Sequence, residues 1–264
     1  MAKLKLKLLD KNNHTLLTTE EGENVSMVYT GAYQEGDSIH VETDTEGLYC
    51  MFWLEDTLPE SIVYCKERVS IYKIPFGTDR IVFSPKAFMG TRHLIRARMA
   101  TPQEIAAYRN LALNPYDTHG DNGFFPHASA NVETRGEAVF AAYNAIDGIF
   151  ENASHGEWPY QSWGINRDPN AAITIDFGRT VKVDAAALTL RADFPHDSYW
   201  TQATLSFSDG SKEVVTLKKT DKPQHFAFSA RSVERVTLSQ LIKAEDESPF
   251  PALTQLEVFG HDER

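Results

Sequence analysis

Ala172-Ile173-Thr174-Ile175-Asp176-Phe177-Gly178 is the stretch that decides the fold. It reads as a strand that stops at a glycine. Val183 to Leu190 reads as the next strand, and Ala203, Leu205 and Phe207 alternate into the turn Ser208-Asp209-Gly210. Val214 to Leu217, His225 to Phe228, Val233 to Leu238 and Leu253 to Phe259 follow. Short strands separated by frequent turn residues predict an antiparallel β-sandwich.

Upstream, Pro115 to Pro126 is rich in Asp, Gly, Asn and Pro. Before it, Thr101-Pro102-Gln103-Glu104 is a capping box with proline at the first helical position. Ile105, Tyr108 and Ala112 fall on one face, which predicts a helix over Pro102 to Leu113, ending at Asn114-Pro115. The first hundred residues are again strands. Leu4, Leu6 and Leu8 alternate with lysines, as do Val25, Met27 and Tyr29 with their neighbours, then Ile39 and Val41. Leu48 to Leu54 is almost continuously apolar, and Ile62 and Tyr64, then Val69 and Ile71, continue the period of two. The expected architecture is all-β: two antiparallel, jelly-roll-like sandwiches, 1–98 and 115–264, joined by one α-helix within 99–114.

The 264 residues suffice for one large or two ordinary domains, each with its own core. A net charge of −11 without a Lys/Arg block argues against nucleic acid and anionic membrane surfaces, and favours neutral or cationic ligands. No apolar run is long enough to span a bilayer, and the amino terminus has no signal-peptide pattern, so a cytoplasmic location is expected. Cys50 and Cys65 could pair across neighbouring strands, but free buried thiols are the expectation.

From about Asn114 to Gly260 the chain resembles the discoidin family, the F5/8 type C or galactose-binding-like domains. The likeness is carried, in order, by Ala128-Ser129-Ala130, Ala145-Ile146-Asp147-Gly148, Trp158 and Trp163, and Ile173 to Gly178. Val183 to Arg191, Ser208-Asp209-Gly210 and Leu256-Glu257-Val258-Phe259-Gly260 continue it. Where the family often has a tryptophan before its Asp-Leu-Gly strand, this chain has Ala171 and Ala172. The resemblance implies a binding module with ligand loops at one end of the sandwich. It also implies a structural calcium ion, for which Asn144, Asp147, Asn152 and Glu257 stand at the matching places.

Two loops carry the residue types that bind sugars, a flat aromatic beside directed polar groups. The first, 154–167, supplies His155, Trp158, Tyr160, Trp163 and Arg167. The second, 191–200, supplies Arg191, His196, Tyr199 and Trp200. The expected function is therefore non-catalytic binding of carbohydrate or another polyol. One rival is a glycan-active enzyme with a site between the domains, for which Glu157 and Asp197 are a conceivable carboxylate pair. The other is a protein-binding assembly module. Asp117-Thr118-His119-Gly120-Asp121 is a polar run with metal-ligand residue types, but no His-Glu-x-x-His, Gly-x-Ser-x-Gly or phosphate-binding loop occurs.

Overall fold

The computed structural model describes residues 2–120, 122–152, 154–192 and 198–263. Its first strands are β1 (Leu4–Leu9), β2 (Thr15–Thr18), β3 (Asn24–Tyr29), β4 (Ser38–Thr43), β5 (Leu48–Trp53), β6 (Ser61–Cys65), β7 (Val69–Lys73) and β8 (His93–Met99). A one-turn helix, α1 (Pro102–Ala106), follows. The remaining strands are β9 (Arg109–Asn110), β10 (Phe124–Phe125), β11 (His127–Ala130), β12 (Trp163–Gly164), β13 (Ile173–Leu190), β14 (Trp200–Phe207), β15 (Lys212–Thr216), β16 (Gln224–Lys243) and β17 (Ala252–Asp262). Every pairing among the described strands is antiparallel. The fold is all-β.

The first sandwich packs the sheet β2-β1-β4-β7 against the sheet β10-β6-β5-β8-β3. Leu4, Leu6, Leu8, Ile39 and Val41 from one sheet meet Val25, Met27, Cys50, Phe52 and Ile95 from the other. The period of two is thus visible in β1, β3 and β4. In β6 and β7 it is the intervening residues that face inward: Val63 and Cys65, then Ser70 and Tyr72, are buried, while Val69 and Ile71 are exposed. Both faces of these strands carry apolar residues, so alternation alone does not choose the face. Cys50 and Cys65 are free and buried.

The capping box forms as its sequence dictates. Thr101 Oγ1 accepts from Glu104 N at 3.3 Å, and the Glu104 carboxylate accepts from Thr101 N at 2.7 Å. The helix ends after one turn, at an extended Ala107, instead of running to Leu113. An isolated helix this short is marginal, and a competing partner is at hand. Arg109 and Asn110 pair as a short strand with Gly260 and Phe259 of β17. Arg98 grips Glu104 through both terminal guanidinium nitrogens (2.9 and 2.7 Å), which, with the cap bonds, holds its carboxyl down at about 2 from the ordinary 4.5. A depressed folded-state value contributes stability above the unfolded value that is lost as pH falls from about 4.5 toward 2. Glu104→Gln is expected to flatten that part of the stability profile. At pH 7 it should cost no more than about 1 kcal/mol, because the pair is partly solvated. Urea denaturation from pH 2.5 to 7 checks both.

In the second sandwich, Gly178 is a corner and not a stop. Its φ of +69° is open to glycine, and a Cβ there would lie 2.5 Å from the Phe125 ring. β13 therefore bends and serves two layers. Its first part, 173–176, lies between β11 and the distal part of β16, next to β14 and β15. Its second part, 181–190, lies between the proximal part of β16 and β17, next to β12. Ile173, Ile175, Phe177, Val181 and Val183 face the core. A register shift after Val183 then changes the parity to Ala186, Leu188 and Leu190. The two short strands read between His225 and Leu238 are likewise one bent strand, β16.

The chain returns to the first sandwich after α1. Phe124 and Phe125 pair with Cys65 and Tyr64 of β6, and Tyr116 and Phe124 are fully buried in the first core. The sandwiches also meet at Asp262. Its carboxylate accepts from Arg179 Nε (2.6 Å), from Tyr49 Oη (3.1 Å) and from Arg109.

Candidate functional site

Arg191 directly follows β13 and is 1% exposed. Its Nη1 donates to the Tyr160 carbonyl, and its Nη2 donates to Asn152 Oδ1 at 2.9 Å and lies 3.4 Å from the Ser154 carbonyl. One buried guanidinium thereby ties the 152–160 loop to the sheet. A second tie is Trp163, whose Nε1 donates to the Val132 carbonyl at 3.0 Å and whose ring lies 6.4 Å from that of Trp200. The described parts of the two aromatic loops thus lie side by side.

What they form differs from the sequence expectation. Trp163 and Trp200 are fully buried in the second core and present no face to a ligand. An indole is large and apolar enough to be worth more as packing than as a platform. Tyr160 is also buried, packed with Val139 and Tyr143. Tyr199 packs partly buried on the main core, and Trp158 is half-buried in a crevice toward the first sandwich. His196 and Asp197 lie outside the described residues, so the Glu157–Asp197 pair does too; Glu157 is exposed. In the polar run, Asp117 is buried against His127 (2.7 Å), His119 meets Glu133 (2.7 Å), and Asp121 lies outside the described residues.

Three of the expected residues, His155, Arg167 and Arg191, line one cleft of about 160 Å³. Phe140 and Phe250 form its aromatic walls, and Asn166 adds a polar group. Phe250 is 39% exposed, and the Arg167 guanidinium stands 4.4 Å over its ring. A planar guanidinium so placed can stack on the ring and keep its N–H groups for other partners. Arg135, also at the rim, is paired with Glu137. Phe250 and Phe140 carry no signal in their local sequence. Phe250 sits in a loop without regular structure, beside loops that only the fold brings near.

Of the residues expected to hold calcium, Asn144 and Asp147 lie together around Gln255, whereas Asn152 and Glu257 have other neighbours. Asn152 Oδ1 faces the cationic Arg191, and Glu257 lies half-buried in β17 near His225. Asn144 donates from Nδ2 to the Ala138 carbonyl at 2.8 Å, and its Oδ1 is buried with no partner among the described residues. Asp147 is half-buried as a residue, but its carboxyl is withdrawn from water, which pushes it up to about 7 against the hydrogen bonds that support its charge. Its Oδ1 accepts from Ile149 N (2.8 Å) and Gln255 Nε2 (2.7 Å), and its Oδ2 accepts from Gln161 Nε2 (2.9 Å). Among the described residues no group of three His, Cys, Asp or Glu side chains is placed to share an ion.

No protein-family profile matches the chain, and no curated protein does. Among solved structures, it is similar to chitosan-binding module 1 of a chitosanase/glucanase from Paenibacillus sp. IK-5, with 22% identity over 57% of this chain and 98% of that one, and a TM-score of 0.40. The family 32 CBM of C. perfringens NanJ, in complex with galactose, is 19% identical over 50% and 91%, with a TM-score of 0.38. The lectin domain of lectinolysin, complexed with Lewis B antigen, is 18% identical over 57% and 96%, with a TM-score of 0.42.

Proposed function

We propose that the second sandwich binds carbohydrate, or a related polyol, without catalysis, through the cleft between the 154–167 loop and Phe250. The observation that carries this is the stacked Arg167–Phe250 pair at the mouth of a small cleft with Asn166 and His155 on its rim. An exposed ring offers a surface for the C–H face of a sugar, and the arginine edge offers charge-assisted hydrogen bonds to hydroxyls. The net charge of −11 favours cationic ligands, but this cleft is lined by arginines and suits neutral or carboxylate-bearing sugars.

The cleft has room for about one sugar ring, so affinity should be low. Dissociation constants on the order of 0.1–1 mM, roughly 4–5.5 kcal/mol, are expected. Titration by calorimetry or NMR against galactose-, glucose- and uronic-acid-type oligosaccharides tests the reading. Arg167→Ala and Phe250→Ala should each weaken binding about tenfold or more, corresponding to roughly 1.4 kcal/mol, with unchanged melting temperature. Chemical shift changes confined to other faces, or none at millimolar ligand, would remove the assignment.

A second reading has its own observation. A larger cleft of about 590 Å³ is lined by Asp10, Glu35, Asp37 and Asp79 from the first sandwich together with Asp117 and His119. Paired carboxylates in a groove are the equipment of glycoside cleavage. Turnover of oligosaccharides that is lost in Asp79→Asn would move the function there.

A further inference from the structure

Gln255 of β17 is fully buried, and its amide nitrogen is crowded by oxygens. Nε2 lies 2.7 Å from Asp147 Oδ1, 2.7 Å from the Thr254 carbonyl, 2.9 Å from the Asn144 carbonyl and 3.2 Å from the Ile149 carbonyl. A carboxamide has two N–H groups, so two of these four oxygens have no proton of their own from it. The orientation of the amide is fixed by its other end. Oε1 accepts from Gly148 N at 3.0 Å, and turning the amide over would set two donors against each other and an oxygen against four oxygens. Asp147 is further supported by Gln161 and Ile149, with no basic side chain among its hydrogen-bond partners in the described residues.

A ring of one carboxylate and three carbonyl oxygens is the donor set of a hard cation, which takes six to eight oxygens at roughly 2.3–2.6 Å. Here a neutral donor occupies its centre. We propose that the Gln255 carboxamide is a built-in substitute for a divalent cation. It closes the oxygen cage of Asn144, Asp147, Ile149 and Thr254, so that the protein folds without a metal, and one change, Gln255→Glu, turns the cage into a calcium site. The substitution replaces the N–H groups with carboxylate oxygens, which add ligands and charge while leaving the other four oxygens in place. Without an ion it sets like charges and lone pairs against one another, so the variant should depend on calcium.

The test is thermal denaturation of wild type and Gln255→Glu, each stripped with chelator and then titrated with calcium, with magnesium as the control. Wild type should show no shift up to 10 mM calcium and no sensitised luminescence with terbium. Gln255→Glu should melt well below wild type in chelator. Calcium should raise its midpoint by on the order of 5–10 °C at about a hundred times the dissociation constant. A calcium-induced rise in wild type that is lost in Asp147→Asn would overturn the substitution by the amide. A Gln255→Glu protein that calcium does not rescue, or that folds at no calcium concentration, would overturn the claim that the cage is cation-sized. Neither outcome bears on the sugar cleft, which shares no residue with the cage.

Discussion

Asp262→Ala is expected to destabilise the protein by roughly 3–5 kcal/mol, the range for removing one partner of a buried ion pair. The Asp262 side chain is 1% exposed and neutralises two arginines, Arg179 (9% exposed) and Arg109 (16% exposed). Without the carboxylate, two nearly buried guanidinium groups stand close together with no counter-charge between them. The Arg179 guanidinium also lies 5.1 and 5.0 Å from the rings of Tyr49 and Tyr64, which belong to β5 and β6 of the first sandwich. The loss should therefore loosen the joint between sandwiches as well as the second sandwich itself. Urea unfolding followed by tryptophan fluorescence and by circular dichroism should give coincident transitions in wild type and separated ones in the variant. Asp262→Asn, which keeps an acceptor for Tyr49, should fall between. A shift below about 1 kcal/mol would show the cluster to be solvated in effect and the joint to be held by packing.

Trp163→Ala should cost a similar amount, about 3–5 kcal/mol as for other large-to-small core changes, and lower the melting temperature by roughly 6–20 °C. The indole is fully buried, so its removal opens a cavity beside Trp200, and the Val132 carbonyl loses the N–H it accepts from. Trp163→Phe should recover most of the packing but not the hydrogen bond. Loss of sugar binding in either variant should follow the loss of native structure. A Trp163→Ala protein that melts like wild type yet binds no sugar would reinstate the stacking role and refute the burial.

Strand positions in the second half were legible because apolar runs and turn residues punctuate them. What was hidden is that Gly178 bends a strand rather than ending it, since a positive φ serves a turn and a corner equally well. The aromatic loops were located, but a tryptophan looks the same in sequence whether it faces solvent or core. Arg191 was read as a ligand-binding residue, and the structure buries it, where it holds the 152–160 loop from within. Gln255 went unnoticed because Glu257 stands two residues on and carries the charge that a metal reading looks for. Phe250 could be found only in space.

The return of the chain to the first sandwich has a consequence for the order of events during synthesis. Domains emerging from a ribosome tend to fold as units, amino-terminal first. Here the first core lacks Tyr116 and Phe124 until residue 125 has been made, well past the last of its own long strands. The edge of β6 stays open over that interval, and an unpaired edge is a place where another chain can add. The growing polypeptide must hold an incomplete sandwich soluble while α1 and the segment after it are added. A fragment cut at the apparent linker near residue 98 would keep that edge open permanently.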